Sequence, residues 1–504
     1  MKNFKNFLAN IPHKFDAKEQ VVLERAFNFA MAAHDGQKRK SGEDYFTHVR
    51  DAAVVLGKIF PDTSTLAATL MHDVPEDTKV TLEEIEKQFG PEITKLIDGV
   101  TQLGRVRMKD STDKFYVENL RKLFIATSQD IRVILIKLAD RLHNMKTIGY
   151  IPPEKQIKVA AETLEIYAPI AARLGIGSWK DELEDLSFKI VYPKEFEETN
   201  QLLNEELKNR EESAKELQKA LSHTLRTEGI KFIEIAGRVK RLYSFYKKLQ
   251  KYGGDIRKVY DTIALRVITQ STTDCYAALG VIHKHFQPLP GRIKDYIATP
   301  KPNGYQSIHT TVFDRHGKIF EIQIRTDLMH EEAERGVAAH WFYAEEGKPE
   351  TASRLSAKWI RELQSWQEET TNPEEFLESL KIDFFHDRIF VYTPKGDIKD
   401  LPMGATVIDF AFAVHSDLGY HMMGAKINGK MASIFDELDS EDTVEVIKSK
   451  KPVTISRDWL KAAKTSGARN KIRHYLNEHD KGIIQRVKEL KLKDFTLPRF
   501  FRKK

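Results

Sequence analysis

From about residue 17 to residue 190, apolar side chains recur at three- and four-residue intervals. EQVVLERAFNFAMAAH, TSTLAATLMHDV, TLEEIEKQF, IRVILIKLADRLHNM and AAETLEIYAPIAARLGI all carry this period, which gathers them on one face of an α-helix. Turn signals at SGED, Pro61-Asp62 and Ile151-Pro152-Pro153 separate the segments. The spacing predicts an all-helical first region, followed by a charged amphipathic helix over about 198–228. The period then changes. KFIEIAGRVK, DTIALRVIT and HTTVFDRHGKIFEIQIRT are short, rich in Ile, Val and Thr and partly alternating, with a turn at Arg315-His316-Gly317. Helical stretches (RLYSFYKKLQKY, DCYAALGVIHKHF, HEEAERGVAAHWFYAEEG) lie between and after them, so a mixed α/β domain is expected to about residue 345. Gly347 to Pro373 is polar and reads as a linker. RIFVYTPKGDIKDLP then predicts a β-hairpin, VIDFAFAVHSDLG a helix, and AKING and DTVEVI further strands, while RDWLKAAKTSGARNKIRHYL is helical and basic.

Composition narrows the class. A chain of 504 residues exceeds one core and suggests about three or four domains. With 41% hydrophobic and 31% charged residues it is an ordinary globular protein. No run approaches the roughly 20 apolar residues of a membrane span, and the N-terminus lacks a secretion signal. One cysteine, Cys275, excludes an intramolecular disulfide framework and a cysteine-rich zinc site. The cytoplasm is the natural compartment. A net charge of +6 is too small to argue for nucleic-acid binding by itself.

Candidate chemistry falls into two constellations. His48, the pair His72-Asp73, and Asp140 all lie in helical segments, and imidazole with carboxylate suits Mn²⁺, Fe²⁺ or Zn²⁺. Consecutive helical residues point about 100° apart, so His72 and Asp73 can flank one ion only at a helix end or irregularity. Pro75 supplies one, and places Glu76 and Asp77 one turn away as general acid/base candidates. Any one such residue alone is better read as a surface or satisfied core group. The second constellation begins at GRVKRLYSFYKKLQK, where Lys240, Ser244, Lys247 and Lys251 fit one helical face. A charge run alone is more often a solvated face. GRIKDYIATPKPNGYQSIHTTV adds basic residues, tyrosines and a Pro-Asn-Gly turn, and Asp261 and Glu321 beside strands are placed to share a Mg²⁺ ion.

RKSGEDYFTH, HDVPEDT and KLADRLHNM together resemble the HD-type hydrolase domain of the RelA/SpoT homologue family, bacterial enzymes that metabolise guanosine tetra- and pentaphosphate. The resemblance implies Mn²⁺ on His48, His72, Asp73 and Asp140, with Glu76 and Asp77 activating the water that attacks the 3′-pyrophosphate. It puts Arg39 and Lys40 on phosphates and Ser41, Asn144 and Thr147 around the nucleotide. Pro75 and Val49 depart from the usual family residues. From Gly237 to Trp341 the chain resembles the family's synthetase domain, which implies a nucleotidyltransferase-like fold and pyrophosphate transfer from ATP to the 3′-hydroxyl of GDP or GTP. Arg238 is implied at adenine, Lys240, Ser244 and Lys248 at the ATP phosphates, and Asp261 at Mg²⁺. Glu321 is implied at Mg²⁺ or as the base, and Tyr305 on guanine. Lys301, Asn303, Gln306, His309, Gln323 and Arg325 would line the rest. Arg292 and Lys294, in the basic Arg-Ile-Lys-Asp signature of bifunctional members, join the GDP/GTP set. Arg241 stands where histidine is common. RIFVYTPKGDIKDLPMGATVIDFAFAVHSDLG resembles the ubiquitin-like TGS module, with His415 at the position that contacts uncharged tRNA.

The expected organisation is a multidomain α and α+β chain: hydrolase domain 1–155, helical coupling bundle 156–197, synthetase domain 198–346, linker 347–384, TGS domain 385–449, and the start of a helical domain 450–504. The family's further zinc-finger and ACT modules do not follow, which reads as a truncated or naturally short member. The expected activity is synthesis and hydrolysis of the hyperphosphorylated nucleotide, with Mg²⁺ and Mn²⁺ respectively. Expected partners are the nucleotides, uncharged tRNA and the ribosome, and no membrane. The alternatives are one silent catalytic site, or a tRNA- or ribosome-binding regulator whose catalytic domains only sense nucleotide.

Overall fold

A computed structural model describes residues 3–101, 125–127, 129–301, 303–339 and 388–478. The segment read as a linker, 347–384, and the chain end from 479 lie outside the described residues. The chain divides into two units, 1–376 and 377–504, taken in turn. No helix among the described residues is long and apolar enough to cross a membrane.

The first unit opens with helices α1 (Phe4–Ala9), α2 (Ala17–Ala33), α3 (Phe46–Gly57), α4 (Thr63–Met71), α5 (Val74–Asp77), α6 (Leu82–Thr101) and α7 (Arg132–Lys146). Local chemistry sets their starts. Asp16 accepts from the amides of Lys18 and Glu19 while Glu19 accepts from the amide of Asp16, closing a capping box on α2. Asp62 caps α4 through the Thr65 amide at 2.8 Å. Gly90, at φ 83°, breaks α6 where TLEEIEKQF ends, and Pro91 restarts it. α7 is buried nearly all round, through Val133, Ile134, Leu135, Ile136, Leu138, Ala139, Leu142 and Met145, as expected of a central helix. Asp140 and His143 are therefore polar groups set in the middle of an apolar core.

Residues 153–191 continue as α8 (Pro153–Glu162), a π-helical turn (Thr163–Tyr167), α9 (Ala168–Arg173) and α10 (Gly177–Val191), and α11 (Pro193–Thr227) runs for 35 residues. The chain then adds β1 (Phe232–Val239), α12 (Leu242–Lys251), β2 (Ile263–Thr269), α13 (Thr272–His285), β3 (Lys294–Asp295), β4 (Ile308–Phe313), β5 (Ile319–Thr326) and α14 (Asp327–Arg335). The five strands form one mixed sheet in the order β1-β2-β5-β4-β3, with only β2 and β5 parallel. Strand alternation divides its faces. Ile263, Leu265, Val267, Ile308, Val312, Phe320, Ile322 and Ile324 pack on Leu217, Leu221 and Leu225 of α11 and Ala278 and Ile282 of α13. The opposite face carries the polar positions.

In the second unit, β6 (Arg388–Tyr392) and β7 (Ile398–Pro402) form the hairpin expected there. Helices α15 (Val407–Val414) and α16 (Ser416–Tyr420) follow, then the sheet of β8 (Met422–Ile427), β9 (Lys430–Ala432) and β10 (Val444–Lys448), and α17 (Arg457–Ala462). The helix expected over VIDFAFAVHSDLG is broken at His415, whose φ of −164° and ψ of 141° are extended. Ile455, Trp459 and Ile472 share one core with Val407, Phe410 and Val444.

Gly336 ends α14 at φ 57°, ψ −135°, a region open essentially to glycine alone. It also lies against the turn before α10: a Cβ there would stand 2.1 Å from the Leu174 carbonyl oxygen. Gly336→Ala is expected to lose more than the about 1–3 kcal/mol of backbone strain, because a backbone clash is added. Gly317→Ala, with φ 74° but open space around the new methyl, should lose only the strain. Equilibrium denaturation of both variants tests the order, and equal losses would contradict the close packing at Leu174.

Candidate functional site

α4 stops at Met71, and Asp73 (φ −91°, ψ −9°) then leads into α5 with Pro75 in its first turn. That break turns His72 and Asp73 toward a common point, as the Pro75 irregularity requires. The His72 Nε2 lies 3.2 Å from Asp73 Oδ1 and 3.9 Å from Asp140 Oδ1. The His48 Nε2, from α3, lies 3.5 Å from Asp73 Oδ2 and 3.2 Å from Asp140 Oδ1. His48, His72 and Asp140 offer ligand atoms within 4.8 Å of one another, and Asp73 sits against both imidazoles.

The hydrogen bonds show what this set can hold. His72 Nδ1 donates to the Thr69 carbonyl at 2.7 Å, so in the neutral ring Nε2 bears the lone pair. Nε2 is buried with no hydrogen-bond partner among the described residues, and its lone pair faces a carboxylate. Only a proton or a cation relieves that repulsion. Two imidazoles, two carboxylates and an unshared buried nitrogen fit a divalent metal ion. Around them, Tyr45 Oη donates to Asp73 Oδ2 at 2.8 Å, Lys137 Nζ to Asp140 Oδ2 at 3.0 Å and Asn144 Nδ2 to Asp140 Oδ1 at 2.6 Å.

Charge follows this geometry. Burial works against ionisation of Asp140, yet Lys137 and the imidazoles hold it well below the usual carboxylate range. Burial alone would lower His48, but hydrogen bonds to Asp140 and Asp73 lift it to about 9. Glu76, on α5, is pushed up to about 7, chiefly by burial and further by Asp73, against the pull of Lys137. It can hold or release a proton near neutrality. Arg39 donates to Asn144 Oδ1 and Thr147 Oγ1, each at 3.2 Å, so these three expected residues converge. Lys40 is exposed, and Ser41 donates instead to Glu43 at 3.2 Å.

The second site lies on the polar face of the five-stranded sheet. Register places Ala264 and Thr311 beside Glu321, Arg266 and His309 beside Gln323, and Arg238 beside Ala264. Glu321, Gln323, Arg325, His309, Arg266 and Arg238 therefore share one face. Asp261, just ahead of β2, accepts at Oδ2 from Lys240 at 2.6 Å and Lys248 at 2.5 Å, while its buried Oδ1 has no hydrogen-bond partner among the described residues. That free carboxylate oxygen fits a hard cation. Burial pulls Lys240 down to about 8 despite Asp261. Tyr305 Oη meets His309 Nε2 at 2.9 Å, His309 Nδ1 lies 3.5 Å from Glu321 Oε1, and Gln323 donates to the same oxygen at 2.8 Å. Burial, reinforced by Lys301, Lys294 and Arg325, lowers His309 to about 3 and keeps it neutral. Lys301 Nζ sits 4.6 Å from the Tyr296 ring centroid and 5.3 Å from that of Tyr305, while Arg325 is 6.0 Å from Tyr305.

Some expected residues point elsewhere. Lys240 precedes α12, with Arg241 extended as its N-cap, so the single helical face through Lys240, Ser244, Lys247 and Lys251 is not formed. Lys240 and Lys248 meet on Asp261, whereas Lys247 pairs with Glu184 of α10 at 3.3 Å. Lys180 donates to Ser244 Oγ at 3.2 Å, and Arg238 reaches Asp181 at 3.5 Å. Asn303 donates to the Ala172 carbonyl and Gln306 to the Ile297 carbonyl. Arg292 stacks over Tyr260 at 5.6 Å, and Lys294 pairs with His309 across β3 and β4. His415 is exposed, and its Nδ1 accepts from the Asp417 amide at 3.2 Å. Sequence reasoning missed Tyr45, Lys137, His143, Arg266 and His330, the last accepting from Arg325 at 2.6 Å. Strand parity with Glu321 was the one signal available for Arg266.

Residues 26–177 match the HD domain family, 237–348 the region found in RelA/SpoT proteins and 389–448 the TGS domain. A GTP pyrophosphokinase of Myxococcus xanthus is 44% identical over 473 residues, 94% of this chain and 62% of the relative. A guanosine-3′,5′-bis(diphosphate) 3′-pyrophosphohydrolase of Aquifex aeolicus is 44% identical over 93% of this chain and 67% of its own length. The bifunctional (p)ppGpp synthase/hydrolase SpoT of Escherichia coli is 42% identical over 90% and 64%. The chain thus spans about three-fifths to two-thirds of these relatives.

The pairing at Asp261 is testable without substrate. Burial would raise its pKa, but Lys240 and Lys248 hold it at about 2, below the ordinary 3.8. A folded pKa below the unfolded one stabilises the fold above the unfolded value, and the contribution is lost as pH falls through about 2. With both lysines replaced by methionine, the carboxyl resonance of Asp261 should titrate above 3.8. An unchanged midpoint by carbon NMR would contradict the pairing.

Proposed function

Because the chain belongs to the RelA/SpoT family, we propose that it both makes and destroys a 3′-pyrophosphorylated guanine nucleotide. It transfers pyrophosphate from ATP to the 3′-hydroxyl of GDP or GTP at the sheet, and removes it at the helical His/Asp site. The observation that carries the bifunctional reading is the convergence of His48, His72, Asp73 and Asp140 around an unshared imidazole nitrogen. A synthetase alone has no use for it. The cytoplasm is the compartment where ATP and GTP meet the enzyme.

In the hydrolase site the four donors would hold Mn²⁺, which when bound would lower the cost of deprotonating water and offset phosphate charge. The chain's own residues supply the rest. Glu76, lifted to about 7, takes the proton of the attacking water, with Asp77 beside it. Arg39, braced by Asn144 and Thr147, faces the phosphates from one side, and Lys40 and Ser41 complete the mouth. In the synthetase site Asp261 and Glu321 would hold Mg²⁺, which when bound would neutralise charge on the donor triphosphate. Lys240, Lys248 and Ser244 bind that triphosphate. Arg238, with Arg266 on the same face, presents guanidinium planes to the adenine. Tyr305 stacks on guanine, and His309 links its hydroxyl to Glu321, which accepts the proton of the 3′-hydroxyl. Lys294, Lys301 and Arg325 add positive charge around the acceptor, with Arg292, Asn303, Gln306 and Gln323 at its margin. Uncharged tRNA and the ribosome are partners of the second unit, with the exposed His415 at the tRNA contact.

Incubation with ATP, GDP and Mg²⁺, and separately with tetraphosphate and Mn²⁺, tests the two activities. Asp73→Asn should abolish hydrolysis and spare synthesis, and chelation should mimic it in the unaltered chain. Hydrolysis persisting in metal-free Asp73→Asn protein would refute the hydrolase assignment. Glu321→Gln should end transfer with both nucleotides still bound. Tyr305→Ala should weaken GDP binding by about 1–3 kcal/mol, the scale of base–aromatic stacking, with ATP binding nearly unchanged. If calorimetry found the loss in ATP binding instead, the two substrates would be reversed.

A further inference from the structure

His143 is buried in the last turn of α7, one turn after Asp140, and has no part in the chemistry proposed for the site. Its Nδ1 lies 2.8 Å from the Nδ1 of His48. Two imidazole nitrogens at that distance must share one proton, since two lone pairs or two N–H groups would repel. The proton has two places. On His143, it leaves His48 Nδ1 as acceptor and puts the hydrogen of a neutral His48 on Nε2, the nitrogen facing Asp73 and Asp140. That tautomer cannot bind a metal. On His48 Nδ1, it donates to His143, and Nε2 is then the nitrogen that can give its lone pair to a cation in the cluster.

We propose that His143 is a positioning residue that selects the metal-binding tautomer of His48 by serving as the acceptor for its Nδ1–H. The proposal rests on the metal reading of the His/Asp cluster given above, and on nothing about the substrate. The helix supports the assignment. Asp140, His143 and Asn144 follow at helical spacing on one side of α7, and Thr147 is its C-cap, so ligand, tautomer selector and the partners of Arg39 belong to one helix and its cap. The far nitrogen of His143, Nε2, then carries its hydrogen toward Asp51, whose Oδ2 is 3.9 Å away. A carboxylate on that side favours the same tautomer. The corresponding partner of His72 is the Thr69 carbonyl, which can only accept. His48 is thus the one imidazole of the pair whose tautomer is open to choice, because its neighbour can either donate or accept.

Mn²⁺ alone, titrated calorimetrically into the whole chain, reads the effect apart from catalysis. His143→Leu removes the acceptor and leaves the buried Nδ1–H of His48 unpaired. Mn²⁺ affinity should fall by about 10–100-fold, the usual cost of losing an outer-shell partner. His143→Asn places an amide oxygen near the original Nδ1 and should bind within a few-fold of the unaltered chain. Thermal unfolding of both variants registers any loss of packing. Affinity unchanged in the leucine variant would overturn the proposal. So would equal losses in both variants, since the site would then need the ring's volume and not its acceptor. If the unaltered chain bound no Mn²⁺ at all, the metal site itself would fall, a result distinct from either.

Discussion

An ionised carboxylate buried in an apolar core is costly unless cations and donors surround it, and Asp140 imposes that demand on α7. Lys137 and Asn144 answer from the same helix, His48 from α3 and His72 from the end of α4. Three helices must therefore pack at one point before the charge is accommodated, so the core of the first region and its chemistry are a single construction. The same physics recurs twice. Asp261 is answered by Lys240 and Lys248. Asp409, fully buried in the second unit, accepts from the backbone amides of Thr406, Lys464 and Thr465, tying the chain beyond β10 to α15. Asp261 keeps a buried oxygen without a partner among the described residues, and Asp140 stands beside two imidazoles that offer ligand atoms with it, whereas Asp409 is satisfied by amides, which marks it as structural.

The sheet obtains its site in another way. Alternation sends every second residue of β2, β4 and β5 into the apolar core and puts Arg266, His309, Glu321, Gln323 and Arg325 on the opposite face. Polar residues there need no break in secondary structure, and the strand scaffold fixes their spacing. At the helical site the opposite holds: His72 and Asp73 stand together in the gap between the end of α4 at Met71 and the start of α5 at Val74.

These two routes account for what the sequence revealed. Helical period, strand alternation and the Arg315–Gly317 turn located the long helices and the central strands but not α1 or the short β3 and β9, and the HDVPED break was readable because proline is a strong local signal. Pairings between elements distant in sequence were not readable. Nothing near Lys247 or Ser244 announces Glu184 or Lys180, and nothing near His48 announces His143, 95 residues away. Lys240 was misplaced for a local reason. An extended Arg241 starts α12 one residue after it, a backbone choice that helical spacing does not register. Asn303 and Gln306 show a further limit, since a polar side chain beside a pocket is spent on a backbone carbonyl as readily as on a ligand.

The basic run of α12 was weighed as a solvated face or a phosphate site, and the structure adds a third use. Asp181, Glu184 and Asp185 of α10 meet Arg238, Lys247 and the amide of Tyr243, while Lys180 holds Ser244. The same α10 is tied to the helices of the His/Asp site by Glu182, which pairs with Lys146 of α7 at 2.9 Å. Contact on both sides establishes no coupling by itself. Competition for the same atoms is a stronger argument. Arg238 and Ser244, the residues assigned to ATP, spend hydrogen-bonding capacity on Asp181 and Lys180, so a nucleotide that engages them must displace α10 or share them with it. Where nucleotide displaces α10, occupancy of that site and the placement of α10 would enter one equilibrium, and whatever displaces α10 would feel that occupancy in return.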